Sequence, residues 1–545
     1  MSARLVLGGC AAAAVSLLVV TGLAGAAPGD LDQTFGAGGQ VSVPIATYGA
    51  GSFGSAVQAD NKLVLVGMNF QMAPPPPPPA PHRVPRIEDE DFFTLRLTDN
   101  GGVDSSFGSN GIVRTPINLD PGARDLAHGV AIAPDGKIVV AGDAGRADGT
   151  SDPGFVRYTT AGELDPTFSD DGIQTVHLGT ESGSSGVVVQ PDGKVVAAAV
   201  TATYFGFEAL RLNADGTLDP SFGVGGVVRT PIGDPSLLDD SSAVALDGDR
   251  IVIAGSADDT NQSSAFAVAR YLPDGQLDPS FGTGGVAITP GPRLNVINAV
   301  AVTGEGKIVA VGFEGDGTGR VIRVVRYLAD GALDTTFGGT GIVTTAIGAF
   351  AIADSIVIEP DGKMIVGGGN DAFTLVRYND DGSLDSSFGG GGVRTYPVGA
   401  HGADATSLLI QHLDGARDRL VQTGTAWENA GGEFAAAGVQ LDGAANPPPP
   451  PPPPVPPPPV PPPPVPPPPP VRHCLVPRLI GLRLARAKAR IQARGCTVGR
   501  VRRTPSRRAR GVIISQKPRA GLLKPFRTRV ALVVSRGLVP AGPRR

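Results

Sequence analysis

Aromatic residues make up only 5% of this 545-residue chain, and Trp occurs once. There are three cysteines and six histidines. The histidines (82, 128, 177, 401, 412 and 473) show no metal-ligand spacing. No G-x-S-x-G elbow or Walker loop is present, and Gly315 to Gly319 is a glycine-rich turn with no helix after it. Acidic pairs such as Asp170-Asp171 lack the alternation of a calcium loop. These shortages argue against a helical or metal-dependent enzyme and for a protein that is not an enzyme, with no cofactor. What abounds is glycine (77) and proline (52), the composition of many short strands, tight turns and low-complexity spacers.

Acidic residues are absent from Arg472 to Arg545, where 18 Arg and 3 Lys stand. Removing these 21 from the chain's 46 basic residues leaves 25 against all 51 acidic ones, a net of −26 for the remainder. An acidic body and a basic C-terminal segment point to a polyanionic partner for the latter, or to contact between the two. At the other end, Arg4, the apolar stretch from Leu5 to Leu23 and Ala24-Gly25-Ala26 read as a secretory signal spanning 1–26. An uncleaved anchor and a lipoprotein box at Leu7 to Cys10 are the competing readings. Cleavage removes Cys10 and leaves Cys474 and Cys496, which an oxidising compartment is expected to join; two reduced buried thiols are the alternative.

A motif recurs along the body. Leu31-Asp32-Gln33-Thr34-Phe35-Gly36 returns with its phenylalanine at 107, 168, 222, 281, 337 and 388. Spacings of 51 to 72 residues indicate a propeller or a solenoid. Each period holds four short strands bounded by Gly and Asp, with hairpin turns such as Pro134-Asp135-Gly136-Lys137. Inner hairpins number seven, yet the last lacks a Leu-Asp-x-x-Phe-Gly element while one stands unpaired before residue 40. If the strand near Gln40 to Val43 completes the last blade, a seven-bladed β-propeller closes with nothing left over. These residues resemble the delta-60 repeat family of bacterial secreted proteins. The resemblance implies a propeller-like ring over residues 27–446 and carries no agreed activity. The fourth repeat departs from it, with Leu246-Asp247-Gly248-Asp249 where Pro-Asp-Gly-Lys is expected, and a proline-rich insert (70–91) interrupts the first.

The repeated Phe is expected to pack blades together, and its Asp to accept a turn or cap hydrogen bond. In an antiparallel four-stranded blade, the first–second and third–fourth turns share one face of the ring; here they are monotonous. The other face carries varied loops, the expected place for recognition. Tyr204, Phe205 and Trp427 are its candidate aromatic anchors for a partner that the sequence does not identify.

Residues 447–471 are proline with single valines, a polyproline II rod of about 75–80 Å at ~3.1 Å per residue. Beyond it, a helix from Leu484 to Ala493 and three strands are expected within 472–537, followed by a basic tail (538–545). Val476-Pro477-Arg478-Leu479-Ile480-Gly481, Ser515-Gln516-Lys517-Pro518 and Val530 to Gly537 resemble a PASTA domain, a small α+β unit. The resemblance implies an association with peptidoglycan. Arg502, Arg503, Arg507, Arg508 and Arg510 form a basic run suited to phosphate- or carboxylate-rich cell-wall polymer, the bland alternative being a solvated loop. The combined expectation is a secreted, monomeric binding scaffold with no membrane span after signal cleavage and no nucleic-acid partner. A wall-tethered lactonase-like hydrolase and a purely structural matrix protein are the alternatives.

Overall fold

The hairpin turns follow directly from their side chains. In a computed structural model, Asp135, Asp192 and Asp361 accept the backbone N–H of the lysine two residues on, at 3.1–3.2 Å. Gly136, in the first of these turns, sits at φ 82°, where a side chain would be strained. The structure describes residues 27–441 and 473–537, apart from 46–49, 70–90, 118–122, 180, 202–203, 205, 233–239, 259–262, 293, 349–350, 370, 414–416, 429–430, 521 and 526. The signal, the rod, the basic tail and all but Asp91 of the proline insert therefore lie outside the described residues.

The chain divides into two units, Met1–Pro447 and Pro448–Arg545. The first holds seven four-stranded antiparallel sheets. Blade 1 runs Ala50–Val57, Leu63–Asn69, Phe92–Leu97 and Ile112–Thr115. Blades 2 to 6 repeat this order within 125–175, 182–230, 240–290, 294–345 and 355–396. Blade 7 takes three strands from the end of the ring, Ala403–Leu413, Arg417–Glu428 and Gly431–Gln440. Its fourth, Gln40–Val43, comes from the start and pairs antiparallel with the third, Gln40 opposite Ala437 and Val43 opposite Phe434. The first strand of each blade lies against the first strand of the next, blade 7 against blade 1 included, so these strands line the channel. The fold is a seven-bladed β-propeller closed by its own N-terminal strand.

Between blades the core is apolar, and the seven motif phenylalanines are fully buried. Each sits beside the glycine turn of the following blade; a Cβ on Gly162, for example, would lie 2.8 Å from the Phe107 ring. The residue after each Phe donates its N–H to that same turn, from Gly36 to Asn100 O (2.7 Å) round to Gly389 to Pro28 O (3.1 Å). Seven such bonds close the circle. Buried tyrosines add another belt: Tyr158, Tyr271, Tyr327 and Tyr378 bond a threonine on the preceding blade's fourth strand at 2.7–2.8 Å.

The second unit packs the helix Leu484–Ala493 on a three-stranded sheet in which Thr497–Thr504 runs parallel, and Ile513–Lys517 antiparallel, to a central Arg529–Ser535. Ala487 and Ile491 are the helix's buried face. Cys474 and Cys496 form a disulfide that ties the entry strand to the end of the helix.

Candidate functional site

The Leu-Asp-x-x-Phe-Gly element builds a site of its own in every blade. One oxygen of the aspartate accepts the N–H and hydroxyl of the Ser or Thr two residues on, as Asp165 does from Thr167 at 2.9 and 2.7 Å. Its other oxygen meets a buried arginine eight residues upstream on the third strand, Arg157 Nε at 2.7 Å. That guanidinium stacks on the motif ring, 4.7 Å from the Phe168 centroid, and reaches the carbonyl of Ala214 in the next blade. Lys137 of the hairpin turn adds a second cation at 3.2 Å. In blade 4, where the sequence lacks that lysine, Arg250 takes its place beside Asp278 at 3.5 Å. Blade 6 varies the pattern, with Arg377 turned to Glu359 (2.7 Å) and 3.6 Å from Asp385.

Blade 7 rebuilds the cluster from different strands. The third-strand position that carries arginine elsewhere is Gly438, whose Cβ would sit 2.7 Å from that of Phe35. The guanidinium comes instead from Arg419 on the second strand, bonded to Asp32 (2.6 Å), Thr34 (2.8 Å), Asp99 O (2.6 Å) and Gln411 (3.1 Å). The motif Asp and Phe are thus structural, as expected, and the arginine that joins them was missed. Its signal was available: an arginine stands eight residues before the motif Asp in six repeats.

A second ring of positions lines the channel toward the varied face. Register irregularities on the first strands place Phe53, His128, Ser185, Ser242, Asn298 and Thr406 at β-bulges, and Asp354 holds the equivalent place ahead of blade 6's first strand. Several reach the next blade. Phe53 packs on His128 with centroids 5.6 Å apart, and Ser185 Oγ donates to Ser241 O at 2.7 Å. Asn298 Nδ2 donates to Asp354 Oδ1 at 3.0 Å. His128 Nε2 lies 3.1 Å from Asp143. Across blade 7, Trp427 Nε1 donates to Asp404 Oδ2 at 3.0 Å. Burial and the neighbouring Asp404 carboxylate push Asp354 up to about 7. Among the described residues, no group of three or more His, Cys, Asp or Glu is arranged to hold a metal.

The aromatic candidates are not brought together. Tyr204, half-buried, precedes the third strand of blade 3 under the Arg229 guanidinium at 5.6 Å, whereas Trp427 is 39% exposed on blade 7, not a neighbour of blade 3. Phe205 lies outside the described residues. A shallow cleft of about 500 Å³ at the seam of blades 7 and 1, lined by Thr34, Val41, Asn100 and Val103, offers little but backbone and aliphatic surface. In the second unit Arg502 and Arg503 lie on the strand Thr497–Thr504, and Arg507, Arg508 and Arg510 in the turn after it; all five are exposed. Among the described residues no helix is long and apolar enough to cross a membrane.

No curated protein matches the chain. A catalytically inactive virginiamycin B lyase from Staphylococcus aureus with quinupristin aligns with 73% of this chain and 98% of its own, at 10% identity and TM-score 0.38. The "Dos1 propeller" (10% identity, 73% and 94%, TM-score 0.39) and "YCF48 bound to D1 peptide" (10%, 76% and 98%, TM-score 0.38) align comparably. Five stretches of the ring, 133–168, 190–222, 249–281, 305–337 and 359–388, match the family described as "Domain of unknown function (DUF5122) beta-propeller", each ending on the Phe of its motif.

Proposed function

We propose that this is a secreted binding scaffold whose C-terminal PASTA-like unit associates with anionic cell-wall polymer, while the propeller presents its varied face to a partner. The observation that carries the reading is the second unit's charge: five exposed arginines on one strand and turn, in a segment without a single acidic residue. Exposed guanidinium groups bind phosphate or carboxylate in bidentate fashion, with an affinity that salt screens. The disulfide suits an oxidising compartment. The test is retention of the full chain on isolated cell walls across a salt series. Retention that collapses as salt rises, and is lost when the five arginines become glutamine, supports the reading. No retention at low salt overturns it.

The lactonase-like hydrolase is a second reading, favoured by the amide and carboxyl groups of Asn298, Asp354 and Asp404 near the channel. It predicts lactone hydrolysis by the purified chain that falls at least a hundredfold in Asp354→Asn.

A further inference from the structure

The three-stranded sheet of the second unit has one face covered and one open. Val530, Leu532 and Val534 of its central strand are buried in the core that also takes Ala487 and Ile491 of the helix. The alternate residues Arg529, Ala531, Val533 and Ser535 therefore belong to the other face. Register fixes what joins them there: Arg502 stands opposite Val533 on one side, and Lys517 opposite Ala531 on the other. Arg502, Lys517 and Arg529 are exposed, while Ala531 and Val533 are half-buried. The arginine-bearing turn is tied to the end of the same strand, where Ser535 Oγ donates to Arg508 O at 2.7 Å and Gly511 N–H to Ser535 O at 2.9 Å. Cations thus follow one another from Arg529, past Lys517 and Arg502, to Arg507, Arg508 and Arg510.

No carboxylate of the unit can neutralise this track, since no Asp or Glu stands between Arg472 and Arg545. Its length and floor narrow the ligand. The strand Arg529–Ser535 is seven residues long, about 20 Å from end to end at ~3.3 Å per residue. That exceeds any single small anion and suits successive charges of a linear polymer. Phe526 is the one aromatic residue between Arg472 and Arg545, and it precedes the strand in the chain. Nucleic acids gain much of their grip on open sheets by stacking bases on aromatic rings, a platform that these three strands do not supply. A polyol phosphate needs none. Its phosphodiester oxygens accept from guanidinium forks and the lysine ammonium, and its short alkyl links lie over Ala531 and Val533.

We infer that the open face of this sheet, from Arg529 through Lys517 and Arg502 to the turn at Arg507, Arg508 and Arg510, binds a linear polyol phosphate. The inference rests on the reading of the C-terminal unit as a module for anionic polymer, and names both the polymer's chemistry and the surface that holds it. Several phosphodiesters are engaged at once, so affinity falls with each cation removed from the track and with each phosphate removed from the chain. The exposed cations of the helix, Arg483, Arg486 and Lys488, belong to the opposite side of the sheet and take no part.

Isothermal titration of the full chain with a synthetic glycerol phosphate hexamer tests this, with the dimer, a galacturonate hexamer and a thymidylate hexamer as comparisons. The glycerol phosphate hexamer should bind at least tenfold more tightly than any of the three. The triple variant Arg502→Gln, Lys517→Gln, Arg529→Gln should lose at least tenfold in affinity. Arg483→Gln, Arg486→Gln, Lys488→Gln removes the same charge from the helix and should cost less than threefold. Limited proteolysis checks that both triples keep the C-terminal unit folded. Equal losses in the two triples overturn the inference, because charge alone would then account for binding. So does a galacturonate or thymidylate hexamer bound as tightly, or no binding of the glycerol phosphate hexamer at low salt. Isolated walls give the separate readout: retention there without hexamer binding leaves the wall reading standing and sinks this one, and hexamer binding without retention does the reverse.

Discussion

The closure of blade 7 gives the sharpest test of what holds the ring. Arg419→Met removes four hydrogen bonds and a stacking contact 5.3 Å from the Phe35 centroid, and leaves the Asp32 carboxylate buried with its side chain 7% exposed. Stranding one member of a buried ion pair costs about 3–5 kcal/mol, and a lost cation–π contact about 1. The double variant Asp32→Asn, Arg419→Met removes the stranded charge. The amide oxygen of the introduced asparagine can still accept from the Thr34 N–H, where Asp32 Oδ1 accepts it at 3.0 Å. It should recover more than half of the loss, because most of the cost is the uncompensated charge and not the missing attraction. Urea unfolding of the four members of the cycle, read by near-ultraviolet circular dichroism, gives the coupling. A loss below ~1 kcal/mol for the single variant would refute the argument, and so would additive losses in the double.

Three further outcomes follow from the same structure. Burial alone would raise the motif aspartates, but hydrogen bonds from the neighbouring Ser or Thr and the cationic partners outweigh it. All seven are held below the ordinary carboxylate value, to about 2 for Asp104 and Asp334. Their stabilisation is present above the unfolded value and is lost as pH falls through the folded one, so the ring's melting temperature should drop steeply between about pH 4 and pH 2. Asp354 has the opposite sign: raised to about 7, it binds a proton more tightly folded than unfolded, so stability declines as pH rises from about 4 to about 7, and Asp354→Asn should flatten that slope in thermal scans. Replacing Cys474 and Cys496 by alanine opens a loop of sequence separation 22, worth about 3 kcal/mol by chain entropy, and should make the C-terminal unit the first target in limited proteolysis.

Turns and closure were legible in the sequence because their causes are local. Asp-Gly closes the hairpins at Asp135-Gly136, Asp192-Gly193 and Asp361-Gly362, and an unpaired motif at one end of a counted series demands a partner at the other. The helix Leu484–Ala493 was equally plain from its apolar spacing. The arginine of each cluster was legible only in principle: its spacing is fixed, but its purpose appears when the strand pairing sets it over the Phe and across the seam. In blade 7 even the spacing fails, since Arg419 serves from another strand and Gly438 makes room. The channel group was hidden for the same reason. Asn298 and Asp354 lie 56 residues apart in the sequence, and it is the packing of successive blades that brings them within hydrogen-bond distance. Aromatic character, by contrast, carries no information on placement: Tyr204 and Trp427 stand on separate blades.

The pairing of Gln40–Val43 with Gly431–Gln440 also orders events in time. The segment that seals the ring emerges first during synthesis and must wait for a partner nearly four hundred residues away, so blades 1 to 6 can form while the seventh sheet is one strand short. Until then the exposed edge of Gly431–Gln440 is open to a strand from another molecule. The dangerous interval in folding is the one between the last blade's arrival and the first strand's return.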